Sequence, residues 1–105
     1  MWRRVTSAED LWIGEMRAAR VEGRPVLLIN IAGRVQAYED RCAHQGVPLS
    51  EGRLEGGVLT CRAHEWQYDA ATGQGLNPCG VALRSFPVEV RDGDIWVEIA
   101  AELGR

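Results

Sequence analysis

The chain has 105 residues, 46% of them apolar and 26% charged, and its twelve basic residues face fifteen acids for a net charge of −3. That size suits one domain over 1–105 with a core that needs no disulfide staples, and the acidic balance gives nucleic acid no electrostatic footing. The longest apolar run, Val26-Leu27-Leu28-Ile29, is far too short to cross a membrane.

Every basic residue is an arginine, which reads as coding bias rather than function. Arg3-Arg4 is no twin-arginine export signal, because the segment after it, "VTSAEDLW", is acidic where an apolar stretch is required. The expected compartment is the cytoplasm, where Cys42, Cys61 and Cys79 stay reduced or bind metal.

Taken in chain order, "SAEDLWIGEM" offers one helical turn with Ser7 as its N-cap. "RPVLLINIAG" is a β-branched apolar run between turn formers, so a buried strand is expected, and "GRVQAYE" returns from it after a tight Ala32-Gly33-Arg34 connection. "WQYDAATGQG" reads as another hairpin closed by Gly73. In "FPVEVRDGDIWVEI" apolar and polar residues alternate on both sides of Asp92-Gly93, a further hairpin. The expected fold is all-β. An antiparallel β-sandwich base, roughly the first forty and last twenty residues, carries a smaller loop-rich subdomain over about 40–85, with ligand loops at 42–47 and 61–66.

Those two loops hold the chemistry. Cys42-x-His44 and Cys61-x-x-His64 use both histidines of the chain and two of its three cysteines. Buried cysteines are often mere core fillers, but that reading needs four scarce residues to fall by chance into two matching pairs. A structural zinc site suits a Cys₂His₂ set, yet zinc fingers group cysteine with cysteine and histidine with histidine. One thiolate and one imidazole per loop instead suits a pair of irons, one taking both thiolates and the other both imidazoles.

The string "CAHQGVPLSEGRLEGGVLTCRAHEWQYDAATGQGLNP", with "FPVEVRDGDIWV" after it and "AEDLWIGEM" before it, resembles Rieske [2Fe–2S] ferredoxins. It is most similar to the ferredoxin component of toluene-type aromatic monooxygenases. The resemblance implies the Rieske fold and one [2Fe–2S] cluster, with Cys42 and Cys61 on one iron and His44 and His64 on the other. It implies a soluble one-electron carrier, a monomer, between an NADH-dependent flavoprotein reductase and a diiron hydroxylase. The ferredoxins of aromatic-ring dioxygenases share the four ligands and are the alternative, as is a small Rieske subunit of a nitrite reductase-like enzyme; a colourless zinc module is the non-redox alternative.

No catalytic residue is expected, because there is no further histidine to act as a base and no nucleophile with a partner. Gly73-x-Gly75 is not a dinucleotide fingerprint, since Pro78 stands where the third glycine would be. Nicotinamide and flavin therefore belong to a partner.

The resemblance also marks tuning positions. Val47 and Ala63 stand where high-potential Rieske proteins carry a disulfide, and Trp66 stands where they carry a serine that bonds a bridging sulfide. These departures imply a potential near the low end of the Rieske range, about −150 mV. Tyr68 matches a tyrosine that donates to a ligand thiolate; a core-filling strand aromatic is the other reading. Trp66 is expected as a cover beside the cluster, Pro78 in a third loop closing over it, and Cys79 as a small apolar filler.

Charge falls from +1 over residues 1–41 (seven arginines, six acids) to −1 over 42–85 (three, four) and −3 over the last twenty (two, five). The cluster tip, with Gln45, Gly46, Val47 and Pro48, is thus nearly neutral. Such a tip suits brief docking with two partners in turn.

Overall fold

The computed structural model describes residues 1–43, 46–63 and 65–99. Eleven strands appear among them: β1 (Trp2–Ser7), β2 (Met16–Val21), β3 (Arg24–Ile31), β4 (Arg34–Glu39), β5 (Arg53–Glu55), β6 (Val58–Thr60), β7 (Gln67–Asp69), β8 (Gly75–Asn77), β9 (Ser85–Phe86), β10 (Val88–Arg91) and β11 (Asp94–Glu98). They form three antiparallel sheets, ordered β1-β11-β10, β2-β3-β4-β9 and β5-β6-β7-β8. Only single 3₁₀ turns, Ala8–Asp10 and Leu49–Glu51, interrupt the β structure of the described residues.

β3 shows why the layers stack as they do. Successive strand residues point to opposite faces, and four consecutive apolar residues therefore serve two cores. Val26 and Leu28 face a core shared with Ala37, Ile95, Val97 and Phe86, between the first and second sheets. Leu27 and Ile29 face a second core with Tyr38, Leu59, Tyr68 and both Cys42 and Cys61. The centre of β3 is buried on both faces, and the all-β base expected from the sequence is two sheets closed over the first core. Tyr38 ties the third sheet on by donating its hydroxyl to the Ala70 carbonyl at 2.7 Å.

The three expected hairpins are present as β3–β4, β7–β8 and β10–β11. The first turn is tighter than expected: Ala32 and Gly33 alone make it, with φ of 55° and 91°, and Arg34 already pairs with Ile31. Two left-handed residues match the twist of the flanking strands. Ser7 caps its 3₁₀ turn, its side chain accepting from the Glu9 N–H at 3.3 Å.

β1, β2, β5 and β6 were not anticipated. In β1 and β2 most residues are polar or exposed, because each is an edge strand with a single partner. β5 and β6 are three residues each, too short for alternation to show, although Gly56-Gly57 between them carried a hairpin signal.

Candidate metal centre

Cys42 and Cys61 each open a loop of the same construction. The Cys42 N–H donates to the Val47 carbonyl at 2.8 Å, and the Cys61 N–H donates to the Trp66 carbonyl at 2.8 Å. The residue before each acceptor is left-handed, Gly46 at φ 74° and Glu65 at φ 54°. Two loops, one after β4 and one after β6, thus bend back on their cysteine in the same way.

Both thiols lie inside the second core, Cys42 at 1% exposure and Cys61 at 0%, and neither is in a disulfide. Burial pushes the Cys61 thiol up, the neighbouring Cys42 adds to this, and the Ala63 amide and Arg62 guanidinium oppose it. Two adjacent thiols in an apolar core are poor thiolates by themselves. They suit a soft cation that supplies the missing positive charge, and a thiolate pair is the donor chemistry of an iron–sulfur centre. Among the described residues no three of His, Cys, Asp and Glu gather around one point. His44 and His64, the other two ligands expected from the sequence, lie outside the described residues, as does Gln45.

Tyr68, at 0% exposure, is both core residue and partner of the site. Its hydroxyl is 3.3 Å from Cys42 Sγ and accepts from the Ala43 N–H at 3.2 Å. Between the hydroxyl and a free thiol either group can donate, but against a thiolate, which carries no proton, the Tyr68 hydroxyl is the only donor. Burial, then the Cys42 contact, pushes the Tyr68 hydroxyl up, so it keeps its proton.

Of the other predicted residues, Val47, Ala63 and Trp66 are half-buried and pack on the core that holds the two thiols. Gly46 and Pro48 are exposed at the outside of the first loop, and Pro78 is half-buried in the turn after β8. Cys79 is a correction. It is exposed rather than an apolar filler, with its Sγ 3.6 Å from the Leu76 carbonyl, because it sits in the turn after β8 rather than on a core-facing strand.

Sequence reasoning missed the outer frame of the first loop. Asp40 is 8% exposed, and its carboxylate accepts from the Ser50 N–H at 2.8 Å and the Ser50 hydroxyl at 2.7 Å. Leu49, beside Ser50, is fully buried in the core of the two cysteines. Nothing in the motif pointed to Asp40 or Ser50, since their partnership spans the loop rather than a local turn.

The Rieske [2Fe–2S] domain model matches residues 1–87. The ferredoxin component of the alkene monooxygenase system of Xanthobacter autotrophicus is 48% identical over 94 residues, covering 89% of this chain and 77% of that one. The ferredoxin component of biphenyl 2,3-dioxygenase from Rhodococcus jostii is 34% identical, covering 91% of each. Among solved structures, a complex of reduced oxygenase and oxidized ferredoxin in carbazole 1,9a-dioxygenase matches with a TM-score of 0.82 and 36% identity over 91% of each chain. With two buried thiols at the heads of twin loops and a match along most of its length, this chain belongs to the Rieske [2Fe–2S] family, as a ferredoxin-type electron-transfer protein and not an enzyme in its own right.

Proposed function

We propose that this protein carries single electrons to the terminal oxygenase of an aromatic-ring dioxygenase system, receiving them from an NADH-dependent flavoprotein reductase. The observation that carries this reading is the match along 91% of each chain, at 36% identity, to a chain of the carbazole 1,9a-dioxygenase complex of oxygenase and ferredoxin. The biphenyl dioxygenase ferredoxin supports it. The toluene-type monooxygenase with a diiron hydroxylase, expected from the sequence, gives way to this reading. A monooxygenase acceptor remains the second reading, because the alkene monooxygenase ferredoxin shares 48% identity.

In this reading Cys42 and Cys61 hold one iron of a [2Fe–2S] cluster and His44 and His64 the other, within a subdomain over about 40–85. The bound cluster supplies reversible one-electron chemistry, its two neutral imidazoles making it easier to reduce than an all-thiolate cluster. The chain's own part is to exclude water from the two sulfurs, as their burial supports, and to present a nearly neutral tip at Gln45, Gly46, Val47 and Pro48. Reduced thiols and no helix, among the described residues, long and apolar enough to cross a membrane are compatible with a cytoplasmic monomer.

Two measurements test this. Anaerobically purified protein should contain iron and inorganic sulfide in equal amounts and be red-brown, and His64→Cys should alter its spectrum; zinc without iron overturns the cofactor. The reduced protein should then be reoxidised rapidly by a purified aromatic-ring dioxygenase and slowly by a diiron hydroxylase. The reverse order of rates overturns the choice of acceptor.

A further inference from the structure

The two cysteine loops share their inner closure but not their outer one. The 61–66 loop is the connection of a hairpin. Thr60 and Gln67, its flanking residues, are a backbone pair of the β6–β7 ladder, so strand pairing holds its two ends together. The 42–47 loop leaves β4 and enters the 3₁₀ turn Leu49–Glu51, and no ladder joins those two elements.

Asp40 and Ser50 occupy the place of the missing ladder. Asp40 stands two residues before Cys42, and its own N–H donates to the Pro25 carbonyl at 3.0 Å, which fixes it to β3. From there one carboxylate oxygen takes the Ser50 N–H and the other the Ser50 hydroxyl. The bond is charge-assisted and doubled, so it sets the orientation of the returning chain as well as its distance. Leu49 plugs into the core beside it at 0% exposure, and the Gly52 N–H closes the turn on the Leu49 carbonyl at 2.9 Å.

We propose that Asp40 and Ser50 form a side-chain clamp that positions the Cys42–His44 ligand loop, doing for it what the β6–β7 ladder does for the Cys61–His64 loop. The inference rests on the cluster assignment made above but not on the choice of acceptor. A site whose supporting bonds are lost keeps its ligands in less uniform geometry. The effect of opening the clamp should therefore be local: the first loop loosens, and the second, closed by its ladder, does not.

The test uses the holoprotein alone. Asp40→Ala removes both acceptors. Asp40→Asn keeps an acceptor for the Ser50 N–H and offers an amide donor to its hydroxyl. Ser50→Ala keeps the carboxylate and the N–H bond. Three quantities are read: the rate of iron loss to a chelator, the line width of the EPR spectrum of the reduced protein, and amide exchange resolved by peptide for 40–50 and 58–68. Asp40→Ala should lose iron roughly tenfold faster, the factor worth about one charge-assisted hydrogen bond. It should also broaden the EPR lines and raise exchange in 40–50 only. Ser50→Ala should show a smaller change of the same kind, and Asp40→Asn should return iron retention and line width towards those of the parent.

Parent-like iron loss and line width in both Asp40→Ala and Ser50→Ala overturn the clamp. Equal loosening of 40–50 and 58–68 also overturns it, since that is the mark of general destabilisation. Should Asp40→Ala not fold, Ser50→Ala and Asp40→Asn decide the matter by the same criteria. Failure to find any iron in the parent protein would refute the cluster assignment instead, which separates the two outcomes.

Discussion

The hydroxyl of Tyr68 lies 3.3 Å from Cys42 Sγ while accepting from the N–H of Ala43, the residue next to that cysteine. A side chain from β7 on the third sheet thereby reaches the loop that follows β4 on the second. With Cys42 as a metal-bound thiolate the hydroxyl is the donor of this contact, in a site with almost no solvent, where a hydrogen bond to a charged group counts for more than in water.

Tyr68→Phe should fold, retain the cluster and show a lower midpoint potential, because the lost donor favours the reduced, more negative state. A bond to a charged group is worth about 1.5–3 kcal/mol in total, and only the part that differs between redox states moves the potential. With roughly 59 mV per 1.4 kcal/mol for one electron, a fall of some tens of millivolts is expected. Protein-film voltammetry of both proteins at one pH measures it. An unchanged potential would leave Tyr68 as a core residue only.

Gly52→Ala should be strongly destabilising. A Cβ there would stand 2.0 Å from the Thr60 carbonyl oxygen, backbone that cannot swing aside. The β5–β6 hairpin would have to part just before Cys61, at a cost of about 1–3 kcal/mol or more. Urea unfolding would show the lower midpoint; because Gly52 has an ordinary φ of −88°, the loss is due to the clash and not to backbone strain.

Tyr38 predicts an alkaline weakness. Burial, with Asp69 nearby, pushes its hydroxyl up to about 12 from the usual 10. A folded-state value above the unfolded one means the unfolded chain gives up the proton first. The contribution is therefore complete below pH 10 and lost as pH rises from 10 through 12, by about 2–3 kcal/mol at the end of that window. Urea midpoints at a series of pH values should fall more steeply above pH 10 in the parent than in Tyr38→Phe. That variant should start about 1 kcal/mol lower at neutral pH, having lost the bond to Ala70. Parallel slopes would contradict the assignment.

Glu65 is the left-handed residue of the second cysteine loop, where the first has Gly46. Glycine avoids the steric cost of that conformation, about 1–2 kcal/mol, but adds freedom to the unfolded chain. Glu65→Gly should be neutral to stabilising by up to about 1 kcal/mol, while Gly46→Ala should be destabilising by a similar amount. Thermal melts of the two variants against the parent check the pair of opposite signs.

The sequence alone determined the β class and three of the hairpins, and it singled out Cys42 and Cys61, which the structure buries together. Each of these is written locally: alternation along 88–98, Asp92-Gly93 and Ala32-Gly33 at turns, and cysteines at fixed spacing from histidines. The edge strands β1 and β2 were not legible, because a strand paired on one side and mostly exposed shows little apolar alternation. Only the tertiary structure decided that Leu27 and Ile29 serve one core and Val26 and Leu28 another, since a continuous apolar run does not say what lies on either face. It alone turned Tyr68 towards Cys42 and exposed Cys79. It also joined Asp40 to Ser50 across the first loop. Contacts between residues far apart in the chain depend on how the sheets stack, and no local spacing encodes them.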